Sequence, residues 1–220
     1  KDSHIEQYPN ITNYLRGLMD TYIPLMIQFV ECDGKPSIGQ NPMFIVRNLT
    51  ILLDAFLSIM RQSVLQPAQD GEDSKYVDPL NHSLYYSMFS SSRNLTFGYF
   101  KDNENSFEMF EKIFIFCLVW TFGAVLLDES RLLFDRFLKD LLEKNGSKSQ
   151  FPPNTKVFDF FIDLNKNQWS VWTDGKTGQE LTSNNSIEQI LIPTNESASS
   201  IFLSRLLIHH SNHVLIHGPE

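Results

Sequence analysis

Residues 105–124, Asn105-Ser-Phe-Glu-Met-Phe-Glu-Lys-Ile-Phe-Ile-Phe-Cys-Leu-Val-Trp-Thr-Phe-Gly-Ala124, decide how the chain is read. Asn105 followed by Glu108 is a capping arrangement, and the apolar run behind it predicts a helix through about Phe122. Gly123 and Asp128 permit a break, and Asp128 caps a further helix. That helix places Phe134, Phe137, Leu138 and Leu141 on a buried face and Arg131, Asp135, Arg136, Lys139 and Asp140 outward, and Asn145-Gly146 ends it. The uncharged run from Ile113 to Leu127 has 15 residues. A bilayer span needs roughly 20, so no membrane crossing is expected there.

Upstream, Ile11, Tyr14, Leu15, Leu18, Tyr22, Leu25, Met26 and Phe29 recur at helical spacing. Pro24 removes a bond to the carbonyl of Asp20, which predicts a kink or two abutting helices. Cys32-Asp-Gly-Lys-Pro36 ends the segment in a turn. Asn41 and Pro42 then open a helix to about Arg61. Its polar residues Arg47, Thr50, Asp54, Ser58 and Arg61 form one narrow stripe, so it is expected to be buried on most sides. Residues 66–81 read as a polar surface loop, and 84–99 are ambiguous.

Downstream of Gly146 the texture changes. Val157 to Asp163 reads as a strand, and Trp169 to Trp172 as its partner. Ile190 to Pro193 is a short extended run, Asn195 caps a helix through about Leu207, and His213 to Ile216 is a final strand. The chain is therefore expected to divide into 1–146, helical, and 147–220, the opening of an α/β domain.

Net charge −8 disfavours nucleic acid and acidic membranes as partners, since both need a basic excess. Two cysteines are too few for a disulfide scaffold, and Cys117, within the apolar run, reads as an inert core thiol. His213 and His217 on one strand lie roughly 13 Å apart at about 3.3 Å per residue, too far for one metal. Asp159 and Asp163 read as solvated strand ends, and no serine sits in a G-x-S-x-G elbow. No catalytic residue and no metal site are expected.

Seven N-x-[ST] sequons, at Asn10, Asn48, Asn81, Asn94, Asn145, Asn184 and Asn195, exceed chance for 16 asparagines. They keep open an alternative: a secreted, N-glycosylated helical interaction domain without nucleotide. Against it stands Asn48, expected within the most buried helix. Val214-Leu-Ile216 running into Gly218-Pro219 is how a phosphate-binding loop begins, a weak sign alone.

Three blocks together carry more weight. Phe116 to Ala124 leads into Ser130 to Leu138. Phe151-Pro-Pro153 and Val157 to Phe161 lead to Trp169-Ser-Val-Trp172. Ile190-Leu-Ile-Pro-Thr194 precedes a helix and Val214 to Pro219. In order and spacing these resemble dynein heavy chains, from the lid of the second AAA+ module to the entry of the third, and the preference is for an axonemal chain.

The resemblance implies a fold of mixed class: an α-helical lid subdomain, 1–146, followed by the first strands and helix of an α/β AAA+ domain, 147–220. It implies part of an ATP-driven, minus-end-directed microtubule motor that couples nucleotide state between adjacent modules in the axoneme. Ile192, Pro193 and Thr194 match the stretch bordering adenine in the third module, and Gly218 and Pro219 the start of its phosphate loop. Ser199 stands where the family commonly carries arginine. Arg47 is a candidate sensor. ATP or ADP with Mg belongs to the parent. The loop lysine and its following Ser or Thr are not among residues 1–220, which are therefore expected neither to hydrolyse ATP nor to bind it tightly. Implied partners are neighbouring modules of the same heavy chain, with microtubule and light or intermediate chains contacted through other regions. A third reading is a stand-alone scaffold derived from a motor gene.

Overall fold

The computed structural model describes residues 9–37, 39, 41–65, 104–164, 166–172 and 194–215. In chain order the elements are α1 (Pro9–Cys32), α2 (Pro42–Leu65), α3 (Glu104–Leu118), a π-helical turn (Val119–Gly123), α4 (Asp128–Lys144), a 3-10 turn (Val157–Asp159), β1 (Phe160–Asp163), β2 (Gln168–Val171) and α5 (Asn195–His209).

α3 is the central element. Every residue from Met109 to Leu118 is buried, and the unbroken apolar run from Ile113 to Leu118 covers the whole circumference of the helix there, so it needs neighbours on every side. α1 supplies Tyr14 and Tyr22, whose rings lie 5.0 Å from Phe107 and 6.1 Å from Phe114. α2 supplies Phe56, 5.3 Å from Phe116, and α5 supplies Phe202, 6.2 Å from the same ring. Sequence had assigned the most buried position to α2. Its Ile45, Leu49, Leu52, Leu53 and Phe56 are indeed buried, but Met43 and Phe44 are 66% and 57% exposed, and Asn48 is exposed. The steric objection to a glycan at Asn48 therefore falls.

α1 runs through Pro24 as one element. Pro24 and Asp20 are both exposed, so the carbonyl that loses its donor faces solvent rather than core. Beyond α1, Ser37 N–H donates to Val125 O (2.8 Å) and Leu127 N–H to Lys35 O (2.9 Å), tying this turn to the one before α4.

α3 does not continue to Phe122 as an α-helix. It widens into the π turn, closed by Ala124 N–H donating to Val119 O (3.0 Å), while Thr121 Oγ1 donates to Cys117 O (2.6 Å). Gly123 is required by close approach. A Cβ there would lie 2.7 Å from Phe134 Cε1 and 2.8 Å from Phe158 Cζ. Gly146 ends α4 at φ +64°, the left-handed region in which glycine is unstrained.

The sheet among the described residues is one antiparallel hairpin, with Phe160 opposite Val171 and Ile162 opposite Trp169. Its first strand starts three residues later than the sequence suggested, because Val157–Asp159 turn before extending, and its second starts at Gln168. β1 is buried from Phe160 to Ile162, whereas Trp169, Ser170 and Val171 of β2 are half-buried. Trp169 stacks on Phe151 at 4.4 Å, and Trp172, beyond the strand end, packs on Phe161 at 5.3 Å. One apolar core continues from the helices across residue 147 into the hairpin and α5.

The expected strand at His213–Ile216 is not formed over 213–215, which pair with no strand among the described residues, and Leu215 is 93% exposed. A short apolar run becomes a strand only where another backbone offers partners, and the hairpin does not reach it.

Candidate functional site

A group of polar side chains lies where α4 and the π turn meet the hairpin and α5. The residues that build this joint are those the sequence placed outward on α4. Asp135 Oδ1 accepts from Val157 N–H (2.8 Å), and Lys139 Nζ lies 2.9 Å from Asp135 Oδ2 and donates to Thr155 O. Arg131 donates from Nε to Leu126 O (3.1 Å) and from Nη2 to Ala124 O (2.9 Å), and its guanidinium sits over the Phe158 ring at 5.6 Å. These three side chains are partly covered because residues 155–158 lie against them. They recur every fourth residue along α4 with alternating sign, a signal that could have marked a shared face.

Trp172 closes the joint. It is fully buried, its Nε1–H donates to Phe158 O (3.0 Å), and Phe116, Trp120, Phe161 and Phe202 surround it at 5.3–6.1 Å. Sequence listed these aromatics singly, but only the π turn and the hairpin crossing bring them together. The other end of the hairpin is held by polar groups. Buried Lys112 pairs with Glu108 and donates to Asn167 O (2.8 Å), while Trp169 Nε1–H donates to Ser149 O (3.1 Å). Asn167 adopts φ +51°, a conformation asparagine tolerates better than most residues.

A cleft of about 480 Å³ opens at the joint, lined among others by Trp120, Arg131, Phe158, Asp159, Asn195 and Ser199. Asn195 Nδ2 donates to Asp159 Oδ1 (3.4 Å). Trp120 Nε1 and Asn195 Oδ1 are buried and have no hydrogen-bond partner among the described residues.

The cap of α5 is Thr194, not Asn195. Its Oγ1 accepts from Ser197 N–H (3.2 Å), and its own N–H donates to Ser197 Oγ (2.9 Å), a reciprocal cap. The Thr194 N–H and hydroxyl are thereby engaged within the helix end. Ser199 is buried and its Oγ donates to Glu196 O (3.0 Å). Arg47 is exposed on α2, where its carbonyl accepts from Thr50 Oγ1 (2.7 Å). Ile192, Pro193, Gly218 and Pro219 lie outside the described residues, as do the readings for 66–81, 84–99 and 190–193. Among the described residues no cluster of three or more His, Cys, Asp or Glu could hold a metal ion, and no helix is long and apolar enough to cross a membrane.

Burial raises the pKa of three groups on the helices, Tyr14, Tyr22 and Cys117. The Cys117 thiol is pushed well up by burial alone. The Tyr14 hydroxyl is pushed up to about 12 by burial first, with Glu111 and Glu108 adding repulsion.

Residues 80–174 match the family described as the dynein heavy chain AAA lid domain. Among curated proteins the chain is similar to the dynein-1-beta heavy chain of the flagellar inner arm I1 complex of Chlamydomonas reinhardtii, 29% identical over 109 residues. That alignment covers 49% of this chain and 2% of the relative. It is similar to mouse (Mus musculus) dynein axonemal heavy chain 3, 28% identical over 132 residues, covering 53% of this chain and 3% of the relative. With the human (Homo sapiens) dynein axonemal heavy chain 3 it shares 26% over 156 residues, covering 62% and 4%. The chain thus spans 2–4% of the length of these relatives. No solved structure matches it. With helices arranged around α3 and a small two-stranded sheet seated on them, the chain is similar to a segment of dynein heavy chains, residues 80–174 matching their AAA lid domain.

Proposed function

We propose that this segment is a mechanical joint in the ring of an axonemal dynein heavy chain. In this reading residues 1–146 are the lid of the second AAA+ module, and residues 147–220 open the large subdomain of the third. The observation that carries it is the shared core. Trp172 and Phe202, from the second part, are packed against Phe116 of the first, so displacement of one part must carry the other or break a dry aromatic contact. Nucleotide state in one module is thereby passed to its neighbour as a rigid-body movement. The parent is an ATP-driven, minus-end-directed microtubule motor working in the axoneme of a cilium or flagellum. Microtubule and the light or intermediate chains engage its other regions.

ATP with Mg supplies the driving chemistry in the parent. In this segment Ile192, Pro193 and Thr194 would border the adenine, and Gly218 and Pro219 would open the phosphate loop. Thr194 contributes by capping α5 and so fixing where that helix starts. Arg47 stands exposed and free of the core, as a sensor must be. The 220-residue chain alone should give no saturable ATP heat in calorimetry up to millimolar nucleotide, and micromolar binding would contradict this.

The coupling itself is tested in the full-length heavy chain carrying Trp172→Ala. The expected result is ATPase activity retained to about half or more, with microtubule gliding slowed about tenfold as hydrolysis and movement separate. Gliding and ATPase that stay in their normal ratio would overturn the reading.

A further inference from the structure

A second cavity, of about 600 Å³, lies away from the joint, between α1, the start of α3 and the end of α4. Its inner wall holds Glu111, only 7% exposed. Glu111 Oε2 accepts from the buried Ser149 hydroxyl (2.7 Å), and among the described residues no cation stands against this carboxylate. An ionised carboxylate so deeply placed is costly unless a positive group compensates it. Glu108, also in the lining, is already matched by Lys112.

Two further features point to the same complement. Tyr14 and Phe107 line the cavity with their rings 5.0 Å apart and tilted at 57°, and Tyr22 adds a third aromatic face. Aromatic faces attract cations, and guanidinium stacks on them better than ammonium does. The C-terminal end of α4 also opens here, through Asn145, Gly146 and Ser147, with the negative pole of its helix dipole. Lys148 borders the cavity at an exposed position, where solvent screens its charge.

We propose that this cavity is a binding site for a guanidinium group, that of an arginine side chain carried by a neighbouring protein segment, with Glu111 as counter-ion and Tyr14 and Phe107 as stacking walls. Neither the aromatics nor the carboxylate would be reached from the joint, so the site offers the segment a second attachment point independent of the Trp172 contact.

The test titrates the 15N-labelled 220-residue chain with N-acetylarginine amide, its neutral citrulline counterpart, an acetyl-Gly-Arg-Gly amide and agmatine. Saturable shifts at Tyr14, Phe107, Glu111 and Asn145 are expected with the arginine compounds, with citrulline at least about tenfold weaker. Glu111→Gln should weaken arginine binding by about tenfold, and Phe107→Leu by about threefold. The tripeptide binding more tightly than agmatine assigns the site to a protein side chain. Agmatine binding as well as the tripeptide would overturn that source. Should Glu111→Gln fail to fold, the arginine-to-citrulline ratio of the unmodified chain decides: a ratio near one, or no saturable shift, overturns the proposal.

Discussion

Trp169 and Trp172 stand three residues apart on one hairpin, yet they are anchored by different physics. Trp172 is wholly buried among Phe116, Trp120, Phe161 and Phe202, and its single polar atom is spent on Phe158 O. Trp169 is half-buried at the edge, stacked on Phe151, and bonded to Ser149 O near the Lys112–Asn167 link. One end is a dry plug and the other a polar clasp. A two-stranded ribbon is marginal by itself in water, so it persists here because each end borrows stability from the helices in its own way.

That contrast predicts unequal losses. Trp172→Ala should cost about 4 kcal/mol, as deletion of a fully enclosed aromatic does, and guanidinium unfolding would measure it. A loss under about 1 kcal/mol would mean that the cage is not closed. Gly123→Ala strikes the same end from behind, forcing the Phe134 and Phe158 rings to move. It should cost about 2 kcal/mol. Trp169→Ala at the clasp should cost about 1–2 kcal/mol, with the cost shared by Lys112→Met in a non-additive double mutant, since both changes loosen the same turn.

The smallest effect is on pH. Tyr14 in the unfolded chain ionises near its ordinary value of 10.0, whereas the folded chain holds the proton until about 12. Between these values the folded state binds more protons, so stability falls as pH rises through the window and is flat in this group below it. Cys117, raised by burial, acts in the same direction from the ordinary thiol range upward. Tyr14→Phe should flatten the upper part of the alkaline unfolding curve. An unchanged curve would remove Tyr14 from the account.

The same contrast explains what could be read before the fold was seen. α4 was legible because Phe134, Leu138 and Leu141 recur on one side while charges fill the other. The use of that charged side was not, since Arg131, Asp135 and Lys139 look solvated until residues 155–158 are laid over them. α5 buries Ala198, Ser199, Phe202 and Leu206 but exposes Ile201 and Ile208, so its inner face follows from Phe202 meeting Trp172 rather than from periodicity. The π turn had no signature beyond Gly123. The strand at 213–215 failed for the opposite reason: its residues favour extension, but no described strand pairs with them.

Native-state hydrogen exchange of the 220-residue chain tests the central claim, that the hairpin and the helices are one body joined at Trp172. The amides of Phe161, Ile162 and Trp172 should exchange at the rate of those in the middle of α3, through a shared opening that Trp172→Ala separates. Hairpin amides that exchange about a hundredfold faster than α3 in the unmodified chain would contradict it.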